Sequence, residues 1–388
     1  MKRVSIIGVG MTKFSRYPEL TIRNLTHLSV EQALKDADVE KKEIEAIFFA
    51  NSMAGFITGQ ECIRGQVSLW GSGLSGIPIY NIENACASGS TAFNLASMAV
   101  ELGQYNTVLV VGTEKLYHVD RKKTLLALAA ATDVEKIQGE QKSSVFLESY
   151  AKRAKQYMEL YGAEPMHLAK IASKNRFHAS LNPLAQYRER LDIEEILASP
   201  KVADPLTRLM CSPIGDGSAA IVLSNRSVSN RKNLNKAVSI AASVIRSGSS
   251  DTENGNSAVD LAIQKAYFVA GVDPSDVDLA EVHDATSPAE LFLYESLGFA
   301  KQGEGIRLIE NSDTTLGGKI PINTSGGLVS KGNPSGATGV AQICEIVWQL
   351  RGDAGERQVQ NAKVGLTHNS GGRIGEDSAA VGIHIFKV

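Results

Sequence analysis

What this chain lacks narrows its chemistry first. Of 388 residues only four are cysteine (Cys62, Cys86, Cys211 and Cys344), and they are far apart with no CxxC pair. Neither a disulfide framework nor a zinc site is indicated. There is no excess of one charge: 40 basic against 42 acidic side chains give a net −2, which argues against a nucleic-acid or membrane-surface binder. No long apolar run occurs, and the one in MKRVSIIGVG is too short for a signal sequence or a membrane span. The phosphate loop GxxxxGK[ST] and the hydrolase elbow GxSxG are both missing, although Ser370 stands close to His368. Gly71 to Gly76 fits GxGxxG but precedes a strand instead of opening a helix, and reads as a turn. A soluble protein of the reducing cytoplasm, without a nucleic-acid or membrane partner, is the expectation.

Apolar residues make up 43% of the chain, ample for large cores, and the length suits two or three domain-sized units. The sequence also repeats itself. Residues 33–52 align without gaps on 266–285, CASGSTAF (86–93) on NPSGATGV (333–340), and GDGSAAIV (215–222) on GEDSAAVG (375–382), in the same order. The spacing falls from 247 to 160 residues between the second and third pairs. The first half therefore carries an insertion within 115–210, where helical runs such as SVFLESYAKRAKQYMELYG occur. The expected organisation is two similar α/β halves, 1–228 and 235–388, related by a pseudo-dyad. A polar linker, SNRSVSNRKNLNK (224–236), joins them. Cys86 and Asn333 then occupy equivalent helix starts, and if those helices meet, two positive helix ends face one site.

Cys86 follows IPIYNI (77–82), which reads as a buried strand, and precedes small residues and the helical run FNLASMAVEL. A thiol at a helix N-terminus is expected to have a lowered pKa and to act as a nucleophile. The small neighbours let an acyl group approach the backbone. Three further segments end strand-like runs on polar residues, where ligands bind in α/β sheets. LAEVHDATSPAELF carries His283 before a helix, PINTSGGLVSKGNPSGATG leads into the Asn333 helix, and VGLTHNSGGRIGEDSAAV puts His368 at a strand tip. His27, His118, His167, His178 and His384 have no comparable context.

Together these motifs resemble the thiolase superfamily, closest to its archaeal and sterol-carrier-protein-2-type branch. NACASG, HDA, SGGxxxKGxPxGATG and HNSGG appear in the family's order and span essentially the whole chain. The resemblance implies a duplicated, five-layered αβαβα fold with a helical loop domain inserted in the first half. It also implies a homodimer or dimer of dimers, and acyl transfer through a cysteine thioester that forms or cleaves a 3-oxoacyl-CoA. Coenzyme A thioesters would be substrates, with no permanently bound cofactor and no metal. Relatives in this branch often work with a small OB-fold, zinc-ribbon partner.

By position, Cys86 would be the acyl-accepting nucleophile and His283 would stand where the family's NEAF asparagine does. His368 would match the second cysteine, the base that removes an α-proton. Backbone N–H groups of Cys86 and of Ser370 or Gly372 would form an oxyanion hole. The family's GHP histidine is Asn333 here, and a neutral amide accepts no proton. Cys86, His283 and Asn333 instead resemble the triad of ketoacyl-synthase-III-type condensing enzymes, with His283 activating the thiol and Asn333 donating to a thioester carbonyl. The insertion's basic residues, Lys152, Arg153, Lys155, Lys170, Lys174 and Arg176, are candidates for holding coenzyme A, most of them reading as a solvated face. Two alternatives are a thiolase-fold lyase acting by retro-aldol chemistry and a non-catalytic lipid-binding or scaffold subunit.

Overall fold

The computed structural model describes residues 4–136, 144–225, 237–250 and 257–388. In the first half, β1 (Ser5–Met11) leads to α1 (Ile22–Ala37), β2 (Ala46–Ala50), two short helices α2 (Ala54–Thr58) and α3 (Arg64–Leu69), and β3 (Ile79–Ile82). Next come α4 (Ser88–Glu101) and β4 (Thr107–Glu114). The chain then runs through α5 (Arg121–Ala129), α6 (Val145–Tyr161), α7 (Pro165–Ser180), α8 (Ile193–Ala198) and the small hairpin β5 (Lys201–Ala203) and β6 (Leu206–Thr207). It returns as β7 (Gly217–Ser224). The second half contains β8 (Val238–Ser247), α9 (Ala258–Ala270), β9 (Leu279–Glu281), α10 (Ser287–Ser296) and α11 (Gly305–Glu310). It closes with α12 (Ser335–Arg351), β10 (Val364–Ile374) and β11 (Asp377–Lys387). Most of the expected linker, 226–236, lies outside the described residues.

Among the described residues nine strands form the main sheet, ordered β3-β2-β4-β7-β1-β8-β11-β10-β9. That order is nearly a palindrome about the β1–β8 junction: β1 matches β8, β7 matches β11, β4 matches β10 and β2 matches β9. The three repeats found in the sequence fall on these equivalent elements. The β1–β8 pairing holds only two residue pairs, Ser5↔Ser239 and Ile6↔Val238, so the two half-sheets are joined by a narrow seam. Between the half-sheets lie α4 and α12, each touching strands of both halves, while α1 and α9 cover the outer faces. These are the five expected layers. Strands β4 and β7 are buried along their whole length, which suits near-continuous apolar runs between two helical layers.

Local sequence explains the close packing. Thr21 and Asn24 form a capping box at the start of α1, and Ser257 and Asp260 form one at α9. Where α4 and α12 cross, a β-carbon built on Gly339 would fall 2.6 Å from the Ser90 backbone nitrogen, and one on Gly89 2.9 Å from that of Val340. Only glycine allows that approach. Phe93 and Phe386 stack edge to face beside it at 5.7 Å, and truncating Phe93 to alanine would cost about 3–5 kcal/mol.

Between β4 and β7 the described residues of the first half form helices α5 to α8, whereas β10 and β11 are joined by a tight turn. This extra segment packs onto the second half. Ala154, Leu168 and Ile171 share one core with Val282, Leu291 and Tyr294. Polar contacts add to it: the Asn182 amide donates to Ser325 O at 2.8 Å, and Lys174 Nζ donates to Ile322 O at 2.7 Å.

Two sequence expectations need correction. Residues 77–82 do not make a buried strand: β3 is the outermost strand, paired only with β2, and Tyr80 is 40% exposed. A β-branched, aromatic run suits an edge strand as well as a central one. His368 is also not at a strand tip, because β10 continues to Ile374 through its antiparallel ladder with β11. Its parallel pairing with β9 does stop at Thr367, so the histidine is the first residue beyond the parallel part of the sheet.

Candidate active site

The Cys86 turn is built by its neighbours' side chains. Ala85 adopts φ 49°, a left-handed conformation that costs a non-glycine residue roughly 1–2 kcal/mol. Hydrogen bonds offset that cost. The Asn84 N–H donates to Ser88 Oγ at 2.8 Å, and the Ser88 hydroxyl donates to Ala85 O at 2.6 Å. The Ala85 N–H donates to Glu83 at 2.6 Å. Helix α4 starts two residues after Cys86, so the sulfur sits at its mouth.

The second half supplies the facing wall. A β-carbon on Gly371 would fall 2.1 Å from Asn84 O and 2.4 Å from the Ala87 nitrogen. Gly372, at φ 63°, lies against Ala131 O. The strand carrying Ser370 and Gly372 thus abuts the Cys86 turn. On the same strand Ser370 Oγ is 3.0 Å from His368 Nε2, and His368 Nδ1 receives a long 3.4 Å contact from the His283 backbone N–H. The Asn369 carboxamide is 3.0 Å from His283 Nδ1. His283, His368, Asn369 and Ser370 are therefore one connected cluster.

Asn333 lies two residues ahead of α12, half-buried. Thr338 donates its hydroxyl to Asn333 Oδ1 at 2.9 Å. The oxygen is committed, which leaves the amide NH2 as the group for a substrate. Asp284 fixes the glycine-rich loop before it: Leu328 N–H donates to Asp284 at 2.6 Å, and a β-carbon on Gly327 would fall 2.3 Å from the same carboxylate. Burial and the neighbouring Glu290 push the Asp284 carboxyl well above its usual range.

The electrostatics overturn one expectation. The Cys86 thiol is raised to about 11, not lowered: burial dominates, and the carboxyls of Glu114 and Glu83 add to it. A helix start does not outweigh desolvation when acidic groups stand nearby. The imidazoles move the other way. Burial lowers His283 to about 4 and His368 to about 3, the latter also disfavoured by His283. At neutral pH the resting thiol and both imidazoles are therefore neutral.

Sequence reasoning missed several contributors. Glu114, fully buried and raised to about 7 by burial, accepts from Asn51 Nδ2 and from the backbone of Ser52, Met53 and Gly336. It ties the first turn of α12 to the loop after β2. Tyr150 of α6 brings a phenol into the field of Cys86, Asp284 and Arg373. Asn369 sat within the HNSGG run without being singled out. Of the insertion's basic residues, Lys174 pairs with Glu290 at 2.7 Å, Lys155 with Asp204 at 3.0 Å, and Arg153 stacks on Phe292. Among the described residues no cluster of His, Cys, Asp and Glu that could hold a metal is found, and no helix is long and apolar enough to cross a membrane.

Fold and cluster define a class: an enzyme made of two α/β halves, with its polar centre where the two inner helices begin. The chain belongs to the thiolase family. The thiolase N-terminal domain family matches residues 4–227 and the thiolase C-terminal domain-like family residues 242–383. It is 38% identical over 392 residues to an acetyl-CoA acetyltransferase of Methanothermobacter thermautotrophicus, covering 100% of both chains. It is also 38% identical over 388 residues to sterol carrier protein 2 of Bos taurus, covering 95% of this chain and 70% of that protein. Among solved structures, the one described as the Ltp2-ChsH2(DUF35) aldolase superposes with a TM-score of 0.80 at 22% identity, covering 99% of this chain and 98% of the other. The branch and the duplicated fold expected from the motifs agree with these matches.

Proposed function

We propose that this chain, an acyltransferase of the thiolase family, forms or cleaves a 3-oxoacyl-CoA through an acyl thioester on Cys86. The observation that carries the reading is the packing of the 370–372 strand of one half against the Cys86 turn of the other. Through Ser370, which bonds His368 at 3.0 Å, that strand connects the histidine cluster to the Cys86 turn.

In the first half-reaction the Cys86 sulfur attacks the thioester carbon of an acyl-CoA. Because the thiol is about 11 and His283 about 4, the S–H proton passes to His283 as the S–C bond forms. The oxyanion is held by backbone N–H groups of Cys86 and of Ser370 or Gly372, with the Asn333 amide donating to the thioester oxygen. The bond to the coenzyme A sulfur breaks, and that sulfur takes the proton from His283. In the second half-reaction His368 takes the α-proton of a second acyl-CoA. Its carbanion attacks the acyl carbon, the S–C bond breaks, and the departing Cys86 sulfur regains a proton from the protonated His368.

The insertion, 115–210, we assign as the loop domain that covers the mouth and contacts coenzyme A. The halves, 1–228 and 235–388, are the two thiolase domains. A second copy of the chain fits the free edge of β3, where Tyr80 is exposed, together with the neighbouring α4, which exposes Leu95 and Met98. A small OB-fold, zinc-ribbon protein of the kind the resemblance implies is a further partner, and a reducing cytoplasm would keep Cys86 a thiol.

Incubation with a panel of acyl-CoAs, followed by mass analysis of the Cys86 peptide, tests the reading. An acyl adduct that vanishes in Cys86→Ala supports it. Asn333, which accepts no proton, favours a second reading, retro-aldol cleavage without acylation; carbon–carbon cleavage with Cys86 never acylated would establish that instead.

A further inference from the structure

We propose that Glu114 is a positioning residue for acyl transfer: its carboxylate clamps the head of α12 to the first half and so holds the Asn333 amide at the thioester carbonyl on Cys86. The proposal rests on the reading in which Asn333 donates to the oxygen of an acyl thioester on Cys86. Glu114 is the last residue of β4 and is completely buried. It acts through Asn333, not on the substrate.

Among the described residues the carboxylate makes every one of its hydrogen bonds as an acceptor. Oε1 accepts from Asn51 Nδ2 at 2.9 Å. Oε2 accepts from the N–H groups of Ser52 and Gly336, each at 3.0 Å. The Met53 N–H is shared by both oxygens at 3.2 Å. Three of these donors lie on the loop after β2, which Arg64 braces by donating to Asn51 Oδ1 at 2.9 Å and to Ser52 O at 2.8 Å. Gly336 is instead the second residue of α12, three positions after Asn333. The same turn carries Thr338, whose hydroxyl holds Asn333 Oδ1 at 2.9 Å and Pro334 O at 3.2 Å. Glu114 thus grips the turn to which the Asn333 side chain is already tied.

Acyl transfer needs such a grip because Cys86 and Asn333 belong to different halves. The half-sheets join through only two residue pairs, so contacts between strand ends and inner helices set the distance between the two side chains. A β-carbon on Gly112 would fall 2.4 Å from Gly336 O, and one on Gly336 2.8 Å from Asn51 Cα, so α12 starts directly on the ends of β4 and β2. The junction is the pseudo-symmetric counterpart of Gly371 on the Cys86 turn, where β10 meets the approach to α4. On the α12 side it adds a carboxylate. The unpaired N–H groups and dipole of a helix start favour an anion there, and hydrogen bonds to ions are the stronger ones. Glutamine does not reproduce the contact: it offers one acceptor oxygen and turns an NH2 group toward N–H donors, which releases either the Gly336 end or the Ser52 end.

The test is a double-mutant cycle on the acyl-transfer kcat of the full-length protein at pH 8, above the value of about 7 to which burial raises the Glu114 carboxyl. Glu114→Gln should lower kcat by about 10- to 100-fold, the scale of an ångström-sized misplacement, with little change in KM. In an Asn333→Ala background the same substitution should lower kcat no further, while it lowers the melting temperature equally in both backgrounds. Glu114→Asp, which keeps the charge but is one methylene short of its donors, should show a smaller loss with the same failure to add. It carries the test if Glu114→Gln is too unstable to assay. Losses that multiply, so that the substitution costs the Asn333→Ala protein as much as the unaltered one, overturn the proposal, as does an unchanged kcat in Glu114→Gln. Mass analysis of the Cys86 peptide separates the two levels of the argument. If Cys86 never carries an acyl adduct, the acyl-enzyme reading and this proposal fall together, whereas multiplied losses in a protein that does form the adduct overturn the proposal alone.

Discussion

Asn369 lies 3.0 Å from His283 Nδ1, and that contact decides what the imidazole can do. With the carboxamide oxygen toward Nδ1, the ring keeps its proton there and Nε2 is a base. With the NH2 group toward Nδ1, the proton moves to Nε2 and the ring becomes a donor. The first arrangement also gives Asn369 Oδ1 a partner, which it otherwise lacks although buried. Asn369 is therefore a positioning residue acting through His283. Asn369→Asp should hold Nδ1–H more strongly and raise the imidazole pKa, so the acid limb of the pH–rate profile moves to higher pH. Asn369→Leu should lower kcat with little change in KM and leave no such shift. Identical profiles for the Asp and Leu variants would show that Asn369 only fills space.

Neutral partners predict a particular titration for Cys86. With the thiol at about 11, its alkylation rate in the free protein should climb about tenfold per pH unit from 7 to 9. A plateau below pH 8 would mean that a preformed thiolate exists. His283→Ala should slow acylation by about 10²–10⁴-fold, the usual worth of a positioned base. Asn333→Ala should cost about 10²–10³-fold, the loss of an oxyanion donor, without moving the alkylation profile. If Asn333→Ala displaces that profile, Asn333 acts on the sulfur and its assignment to the oxyanion alone is wrong.

Much of this site was legible in the sequence because the duplication marks it. Aligning CASGSTAF with NPSGATGV places Cys86 and Asn333 at equivalent helix starts, and α4 and α12 do meet there. The polar ends of the β9 and β10 segments pointed to His283 and His368. What could not be read depends on distance in space rather than along the chain. Glu114 matters because donors from the Asn51–Met53 loop and from Gly336 of α12 converge on it. The thiol pKa was misjudged for the same reason: helix polarity is local and visible in sequence, whereas burial and the Glu114 and Glu83 charges are tertiary. Likewise Gly371, not Gly372, makes the tightest approach to the Cys86 turn, and the sequence offers two glycines without distinguishing them.

Stability should fall on mild acidification. Burial lowers His178, His368 and His384 to about 3 and His283 to about 4, against 6.5 for an unperturbed histidine. Between pH 6.5 and about 4 the unfolded chain binds more of these protons, so unfolding becomes easier as pH drops. Glu114, raised to about 7, has the opposite sign: from pH 4.5 to 7 the folded state holds its proton better, so its contribution falls as pH rises. His384, packed between Phe93 and Phe386, offers one imidazole outside the Cys86–His283–His368 set. His384→Phe should flatten the acid slope by up to one proton, about 1.4 kcal/mol per pH unit, measured by denaturant unfolding from pH 7 to 4.5. An unaltered slope would mean that His384 is protonated in the native state.

The insertion is fastened to the second half by charge as well as by apolar contact, and the fastening can be measured. Lys174 on α7 and Glu290 on α10 pair at 2.7 Å with both side chains buried. The same carboxylate accepts from Asn175 at 2.7 Å, Asn323 at 2.8 Å and the Tyr294 hydroxyl at 2.6 Å. Removing one partner of such a pair leaves a charge without compensation, whereas replacing both removes the problem. Lys174→Met should therefore cost about 3–5 kcal/mol. The double variant Lys174→Met with Glu290→Gln should recover part of that loss, since a neutral amide tolerates the site without a cation. Because Asn175 also donates to Asp284 at 2.9 Å, beside His283, the single variant should lower acyl-transfer turnover as well as melting temperature. A Lys174→Met protein with unchanged stability would mean that the apolar core alone holds the insertion, and that the buried ion pair contributes nothing to closing the site.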